Sequence, residues 1–258
     1  MRPELTRRGL IAGGAASAGG LLLTGCDRLN ASPTFRKVLG GAEGLTLRSQ
    51  RLLLSGQPLA REFERSAISS VFKPNGSVDP QNPEYRRHVE TGFTDWRLTV
   101  DGMVARPLSL SLAQLQAMPA RTQITRHDCV EGWSAIGEWT GTPLATLLQS
   151  AEVAPSARYV VFHCADNYAN RAGPRERYYE SIDLFDAFHP QTILAYGMNG
   201  EALPVRYGAP IRLRVERQLG YKHAKYVMRI ELRDSLAGIG MGRGGYWEDR
   251  GYQWYAGI

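Results

Sequence analysis

With 258 residues, 43% of them hydrophobic, the chain can bury one substantial core; 22% charged residues, 28 Gly and 14 Pro exclude a fibrous or wholly disordered protein. The formal charge is +6, carried almost entirely by arginine. The arginines are scattered, and no basic run interleaves with aromatics. This argues against a nucleic-acid surface and for a site that holds phosphate or another oxyanion, onto which guanidinium groups fork.

Arg7-Arg8 precede an apolar stretch, Gly9 to Leu23, that is too short and too rich in Gly and Ala for a membrane span. Thr6-Arg7-Arg8-Gly9-Leu10-Ile11 resembles a twin-arginine export signal, and Leu23-Thr24-Gly25-Cys26 resembles a lipobox in which Cys26 is lipidated. The alternative is an ordinary secretory peptide. Residues 1–26 are therefore read as an address, 27–65 as a polar tether, and 66–258 as the functional domain. The expected location is the periplasmic face of a bacterial inner membrane, with acyl chains as the anchor.

Along the domain, Trp96, Leu98 and Val100 alternate with polar residues and lead into Asp101-Gly102, a strand followed by a hairpin-type turn. Ser111 caps a short helix carrying Leu112 and Leu115. Thr122–Thr125 is a strand that delivers the chain to a polar loop, His127-Asp128-Cys129. Thr142 as N-cap and Pro143 at the first helical position open the clearest helix, with Leu144, Leu147, Leu148 and Ala151 on one face. Tyr159–Cys164 is a buried strand and Ile182–Phe188 a short helix. Ile193–Met198 is a strand closed by the hairpin turn Asn199-Gly200. Ile211, Leu213 and Val215 alternate with Arg212, Arg214 and Glu216 in a half-buried strand, and Val227–Leu232 forms another. The tail from Gly238 is rich in Gly, Tyr and Trp and lacks helical periodicity. The fold class is α+β: mixed, mostly antiparallel sheets with short helices.

Cys26 aside, two cysteines remain. In an oxidising compartment Cys129 and Cys164 are candidates for a disulfide. The setting of Cys129, Arg126-His127-Asp128-Cys129-Val130-Glu131-Gly132-Trp133, offers a second reading. Flanking cations favour a thiolate, and a thiolate is the soft ligand a redox metal selects. Cys164 is equally compatible with an inert packed thiol. No CxxC or HExxH motif supports zinc or iron–sulfur chemistry. A cysteine hydrolase using Cys129 with His127 or His163 lacks an orienting third residue.

The run Arg126–Trp133, followed by Trp139-Thr140-Gly141-Thr142-Pro143-Leu144, resembles the metal-binding segment of the sulfite oxidase family of molybdopterin enzymes. So do Ala195–Pro204, Gly208-Ala209-Pro210-Ile211-Arg212 and Gly220-Tyr221-Lys222-His223-Ala224-Lys225. The resemblance spans about Asp95 to Asp234 and is nearest to the bacterial periplasmic branch, which includes the catalytic subunit of a methionine sulfoxide reductase. It implies a molybdenum-molybdopterin cofactor whose metal takes Cys129 as its protein sulfur. It implies Arg212 on the pterin phosphate, and His223, Ala224 and Lys225 in a cofactor-holding loop, in keeping with the phosphate chemistry of arginine and of backbone nests. Tyr207 stands where the family has a cofactor-contacting asparagine and Cys164 where it has a threonine; both can hydrogen-bond a pterin. Asn75-Gly76 is a candidate for closing over it, and a simple turn is the alternative.

The resemblance further implies oxygen-atom transfer, with electrons exchanged with a cytochrome or membrane-haem partner. Sulfite needs cations near the metal, whereas the stretch after Cys129 has no arginine and introduces Glu131 and Trp133. That favours a small S-oxide or N-oxide over sulfite. His127 is a candidate proton donor or hydrogen-bond donor beside the metal, and Trp133 a candidate substrate contact. Tyr246, Trp247, Tyr252, Trp254 and Tyr255 either cover a cofactor edge or dock the redox partner. The rival class is a non-catalytic periplasmic binding protein closed by a Cys129–Cys164 disulfide.

Overall fold

A computed structural model of the chain describes residues 32–53, 57–168 and 176–258. The export signal and Cys26 lie outside the described residues. Within the segment read as a tether, Pro33–Leu53 forms a 21-residue helix, α1, on which Val38, Leu45, Leu52 and Leu53 are exposed. No helix among the described residues is long and apolar enough to cross a membrane. From residue 57 the chain is hydrogen-bonded to later segments: Phe63 N–H donates to Ile124 O at 2.9 Å, and Gln191 binds both Ala60 N–H and Ala60 O.

Alternating strands build two five-stranded sheets. The first is ordered β2-β1-β10-β5-β6, from Leu108–Ser111, Arg97–Gly102, Val227–Arg233, Tyr159–Tyr168 and Glu176–Asp183. β1 and β10 run parallel, and the other pairs are antiparallel. The second runs β3-β4-β7-β8, from Arg121–Cys129, Trp133–Pro143, Ile193–Met198 and Glu201–Ala202, with β9 (Arg212–Arg214) also paired to β7. Short helices punctuate them: α2 (Pro83–Glu90), α3 (Leu112–Gln116), α4 (Leu144–Ala151) and α5 (Leu184–Ala187). This is the mixed, mostly antiparallel α+β architecture expected.

The principal core gathers Trp96 just before β1, Leu98 and Val100 of β1, Leu147 and Leu148 of α4, Phe162 of β5 and Ile230 and Leu232 of β10. Ser111 caps α3 in a full capping box with Gln114. Asn199-Gly200, with φ of 54° and 84°, turns β7 into β8.

Four local expectations change. Asp101-Gly102 is no turn: both residues continue β1, paired to Glu231 and Leu232. The N-cap of α4 is Pro143, without a side-chain cap; Thr142 stays in β4 and donates to Leu115 O, while Leu144 N–H is satisfied by Thr192 O. Only Leu184–Ala187 is helical in the stretch after Ile182, because Asp183 caps at Asp186 N–H and Ile182 still belongs to β6. The Arg-Leu-Arg strand is not half-buried. Arg212, Leu213 and Arg214 are all fully buried, Leu213 in the principal core and the arginines on the opposite face.

Gly102 has φ +82°, and a Cβ there would stand 2.4 Å from Leu232 O. Gly102→Ala combines left-handed strain with a clash against backbone. It is expected to destabilise the fold by about 2–4 kcal/mol, read as a lowered urea midpoint at unchanged m-value.

Candidate active site

Cys129 is the last residue of β3, not part of a loop; the loop is Val130-Glu131-Gly132. Strand alternation points His127 and Cys129 inward and Arg126 and Asp128 outward. Arg126 pairs with Asp128 at 2.9 Å on that outer face, so it does not flank the thiol in space. Burial instead pushes the Cys129 thiol up, opposed by the hydrogen bond from the Glu131 backbone. Arg126, its neighbour in sequence, thus does not favour a thiolate, and only a smaller downward pull comes from Lys73.

A cavity of about 130 Å³ opens against Cys129. Its wall includes Asn75, Gly76, His223 and Lys225, residues from two further segments of the chain. Val130 and Glu131 border it beside Cys129, and Tyr221, Trp247 and Tyr252 add aromatic surface. Of the five C-terminal aromatics, Trp247 and Tyr252 line the cavity, whereas Tyr246 belongs to the principal core and Trp254 and Tyr255 are not part of the lining.

Beneath lies a cationic layer. Arg214 forks onto Glu216 at 2.9 and 2.6 Å and reaches His127 Nδ1 at 2.9 Å. Arg212 gives one N–H to Tyr207 O at 3.1 Å, while its Nε and Nη2 are shut from solvent without a partner. Both guanidinium carbons lie over the Trp139 ring, at 5.0 Å for Arg212 and 4.4 Å for Arg214. Burial and the Arg214 charge lower Arg212 to about 9.

Since arginine only donates, His127 Nδ1 is the acceptor and the proton sits on Nε2, which is buried without a partner. Burial, then Arg214, Arg212 and Lys225, hold His127 well below the usual histidine range. Its Nε2–H is therefore a hydrogen-bond donor without a partner in the site. Gly220 makes room for it, as a Cβ there would stand 2.6 Å from Nε2. His223 is likewise neutral, from burial and Arg214 above all. Its Nε2 donates to Gln218 O at 3.0 Å, which leaves Nδ1 an unpartnered acceptor.

A strap from Phe72 to Ser77 crosses the site. Phe72 packs on Trp139 and Trp133, and its carbonyl accepts from Tyr207 Oη at 2.7 Å. Lys225 Nζ binds Asn75 O at 2.8 Å, Arg206 O at 3.0 Å and Ser77 O. Burial and Arg212 depress Lys225 to about 7.

The other candidates stand apart. Trp133 Nε1 donates to Glu131 at 3.1 Å and its ring packs against Phe72 and His127, away from the cavity lining. Tyr207 is spent on the strap. The Cys164 and Ala224 side chains belong to the principal core; Ala224 N–H donates to Lys222 O and its carbonyl accepts from Leu213 N–H. Cys129 and Cys164 are free thiols on strands of different sheets, which overturns the disulfide-closed alternative. His163 pairs with Glu231 at 2.9 Å and is no base for Cys129. Sequence reasoning missed Arg214, Glu216, Asp166, Tyr178 and Tyr221. The plus-plus-minus alternation Arg212, Arg214, Glu216 was the available signal for the first two.

Residues 86–237, more than half of the chain, match the family described as oxidoreductase molybdopterin binding domain. The chain belongs to the sulfite oxidase-type molybdopterin family. It is 37% identical over 98% of its length to a protein of Azospira oryzae provisionally named protein-methionine-sulfoxide reductase subunit YedZ1, covering 89% of that relative. It is 38% identical over 62% of its length to the protein-methionine-sulfoxide reductase catalytic subunit MsrP of Gluconobacter oxydans, of which it spans 52%. Among solved structures, the sulfane dehydrogenase SoxCD of Paracoccus pantotrophus aligns over 55% of this chain and 39% of that one, with 26% identity and a TM-score of 0.48.

The chain is thus a molybdopterin oxidoreductase, and its residues fit such a group. Two buried guanidinium donors of Arg212 without acceptors and a depressed lysine call for an anion such as phosphate, and that lysine, Lys225, lines one cavity with the Cys129 sulfur.

Lys225 makes the site's electrostatics measurable. The unfolded chain keeps its proton up to the ordinary lysine pKa near 10.5, whereas the folded site releases it near 7. The unfolded state therefore binds more protons across that window, and stability rises with pH through it. In protein produced without pterin, the melting midpoint is expected to gain from pH 7 to 9, and Lys225→Met to lose that gain.

Proposed function

We propose that the chain is an exported molybdenum-molybdopterin enzyme that transfers an oxygen atom from a small S-oxide or N-oxide. Its electrons would come from a cytochrome or membrane-haem partner, and a lipid on Cys26 would hold it at the periplasmic face of the inner membrane. The observation that carries the catalytic part is the meeting of Cys129, Asn75, His223 and Lys225 around one cavity. The names of the two relatives support an S-oxide substrate, and the word subunit in both supports a redox partner. The Arg7-Arg8 and Leu23–Cys26 motifs support export and anchoring.

The chemistry that the bound group supplies is two-electron redox with movement of one oxygen atom. In this reading Cys129 Sγ is the protein's sulfur on the metal and gives up its proton on binding. Arg212 Nε and Nη2 take the phosphate, and His127 Nε2–H donates toward the reaction centre without changing its own charge. Tyr221, Trp247 and Tyr252 wall out water. Removing oxygen from a sulfoxide consumes two electrons and two protons and yields the sulfide and water.

The charge at the mouth favours an uncharged substrate. Glu131 lines it, held anionic by hydrogen bonds from Trp133 and Lys73, while Arg126 turns outward to Asp128. A doubly charged sulfite would meet a carboxylate where it needs a cation. Cys129→Ser is expected to melt like the wild type and keep its pterin, while turnover of methionine sulfoxide with reduced viologen falls more than about a hundredfold. Wild-type turnover in that variant refutes the role of Cys129; wild-type oxidation of sulfite outpacing sulfoxide reduction refutes the substrate class.

A further inference from the structure

Helix α1, Pro33–Leu53, carries a pattern that the cavity chemistry does not use. Val38, Leu45 and Leu52 recur every seven residues, and with Leu53 they fall within one arc of the helix. They are 64, 65, 77 and 80% exposed. A single exposed leucine needs no account, but an apolar stripe about 20 Å long does.

Two further features restrict what can cover that stripe. The helix holds four basic residues against a single acidic one, Glu43. A seam flanked by one sign of charge is poorly matched to a second copy of itself, because the flanks of the pair would repel. Glycines also interrupt the helix, and a Cβ at Gly41 or Gly44 would meet nothing. They do not serve close packing, and each weakens the helix as an isolated element, so its order draws on burial of the stripe.

A surface that is apolar beneath and negative on top answers both features, and an anionic bilayer is such a surface. The helix is not apolar enough to cross one. We propose that α1 lies flat on an anionic lipid surface, with Val38, Leu45, Leu52 and Leu53 in the acyl boundary and its cations among the headgroups. Pro33 follows Cys26 by seven residues, so a lipid on that cysteine would hold the helix to the same surface. The proposal needs neither that lipid nor the cofactor.

The test uses the full chain carrying Cys26→Ala, so that no acyl chain contributes. Residues 1–26 are otherwise common to every variant, and only differences between variants are read. The probes are vesicles of phosphatidylglycerol or of phosphatidylcholine. An environment-sensitive dye is attached at Leu45→Cys, in the stripe, or at Gly44→Cys, one residue away and outside it; Cys129 and Cys164 are buried. On phosphatidylglycerol the dye at position 45 is expected to shift to the blue and to become at least about fivefold less accessible to an aqueous quencher, while the dye at position 44 stays as in solution. The triple variant Val38→Gln, Leu45→Gln, Leu52→Gln should partition at least roughly tenfold more weakly at an unchanged melting midpoint. Gly44→Ala should bind several-fold more tightly, since alanine favours the helix. Phosphatidylcholine, or about 0.5 M salt, should weaken the binding roughly tenfold.

Equal exposure of the two dyes, undiminished partitioning of the triple variant, or indifference to headgroup charge overturns the proposal. A dimer in solution that the three glutamines abolish would make the stripe a seam between copies. Protection of position 45 in native membranes but not in protein-free vesicles would make it a protein contact. Either outcome overturns the lipid assignment as well.

Discussion

Two guanidinium groups share the face of one indole, and the site is organised around that arrangement. Trp139 is fully buried, with Arg212 and Arg214 over its ring. Among the described residues one carboxylate, Glu216, answers them directly, and Arg214 takes both of its oxygens. Like charges packed this closely in a dry interior are tolerated when a π face and an anion offset them. The protein supplies the first fully and the second by half. The imbalance propagates: with burial as the larger cause, the arginine charges help to hold His127 and His223 below the usual histidine range and to depress Lys225.

β9 is what makes this possible. Three residues long, it hydrogen-bonds to β7 and sends Leu213 into the principal core, so Arg212 and Arg214 must face the other way. The apolar burial of one side chain thereby holds two charged ones in place. Neighbouring glycines give the space needed: a Cβ at Gly208 would press on Lys225 and Arg212, and one at Gly220 on His127.

Much of the scaffold is legible in the sequence wherever a local signal has one meaning. The Ser111 cap, the β7 run and the Asn199-Gly200 turn are examples, since each depends on a few adjacent residues. Arg212 and Arg214 mislead because alternation of charge with Leu and Val ordinarily marks a solvated face; nothing within the strand reveals that its polar side is covered too. β6 escaped because Tyr178 and Glu180 carry no plain period, and Asp166 because it follows the apolar part of β5. Cys129, Asn75, His223 and Lys225 were named through motif resemblance, as no local pattern links segments so far apart. That resemblance also nominated Cys164 and Ala224, whose side chains the core claims.

The strap ties two halves of the site together. Arg212 is wholly inaccessible, and all three Lys225 ammonium hydrogens are engaged by carbonyl oxygens, two of them on the strap. The segment that borders the cavity through Asn75 and Gly76 therefore also fixes where the Lys225 ammonium sits, so a change of backbone at residues 75–77 would redirect a positive charge as well as reshape a wall.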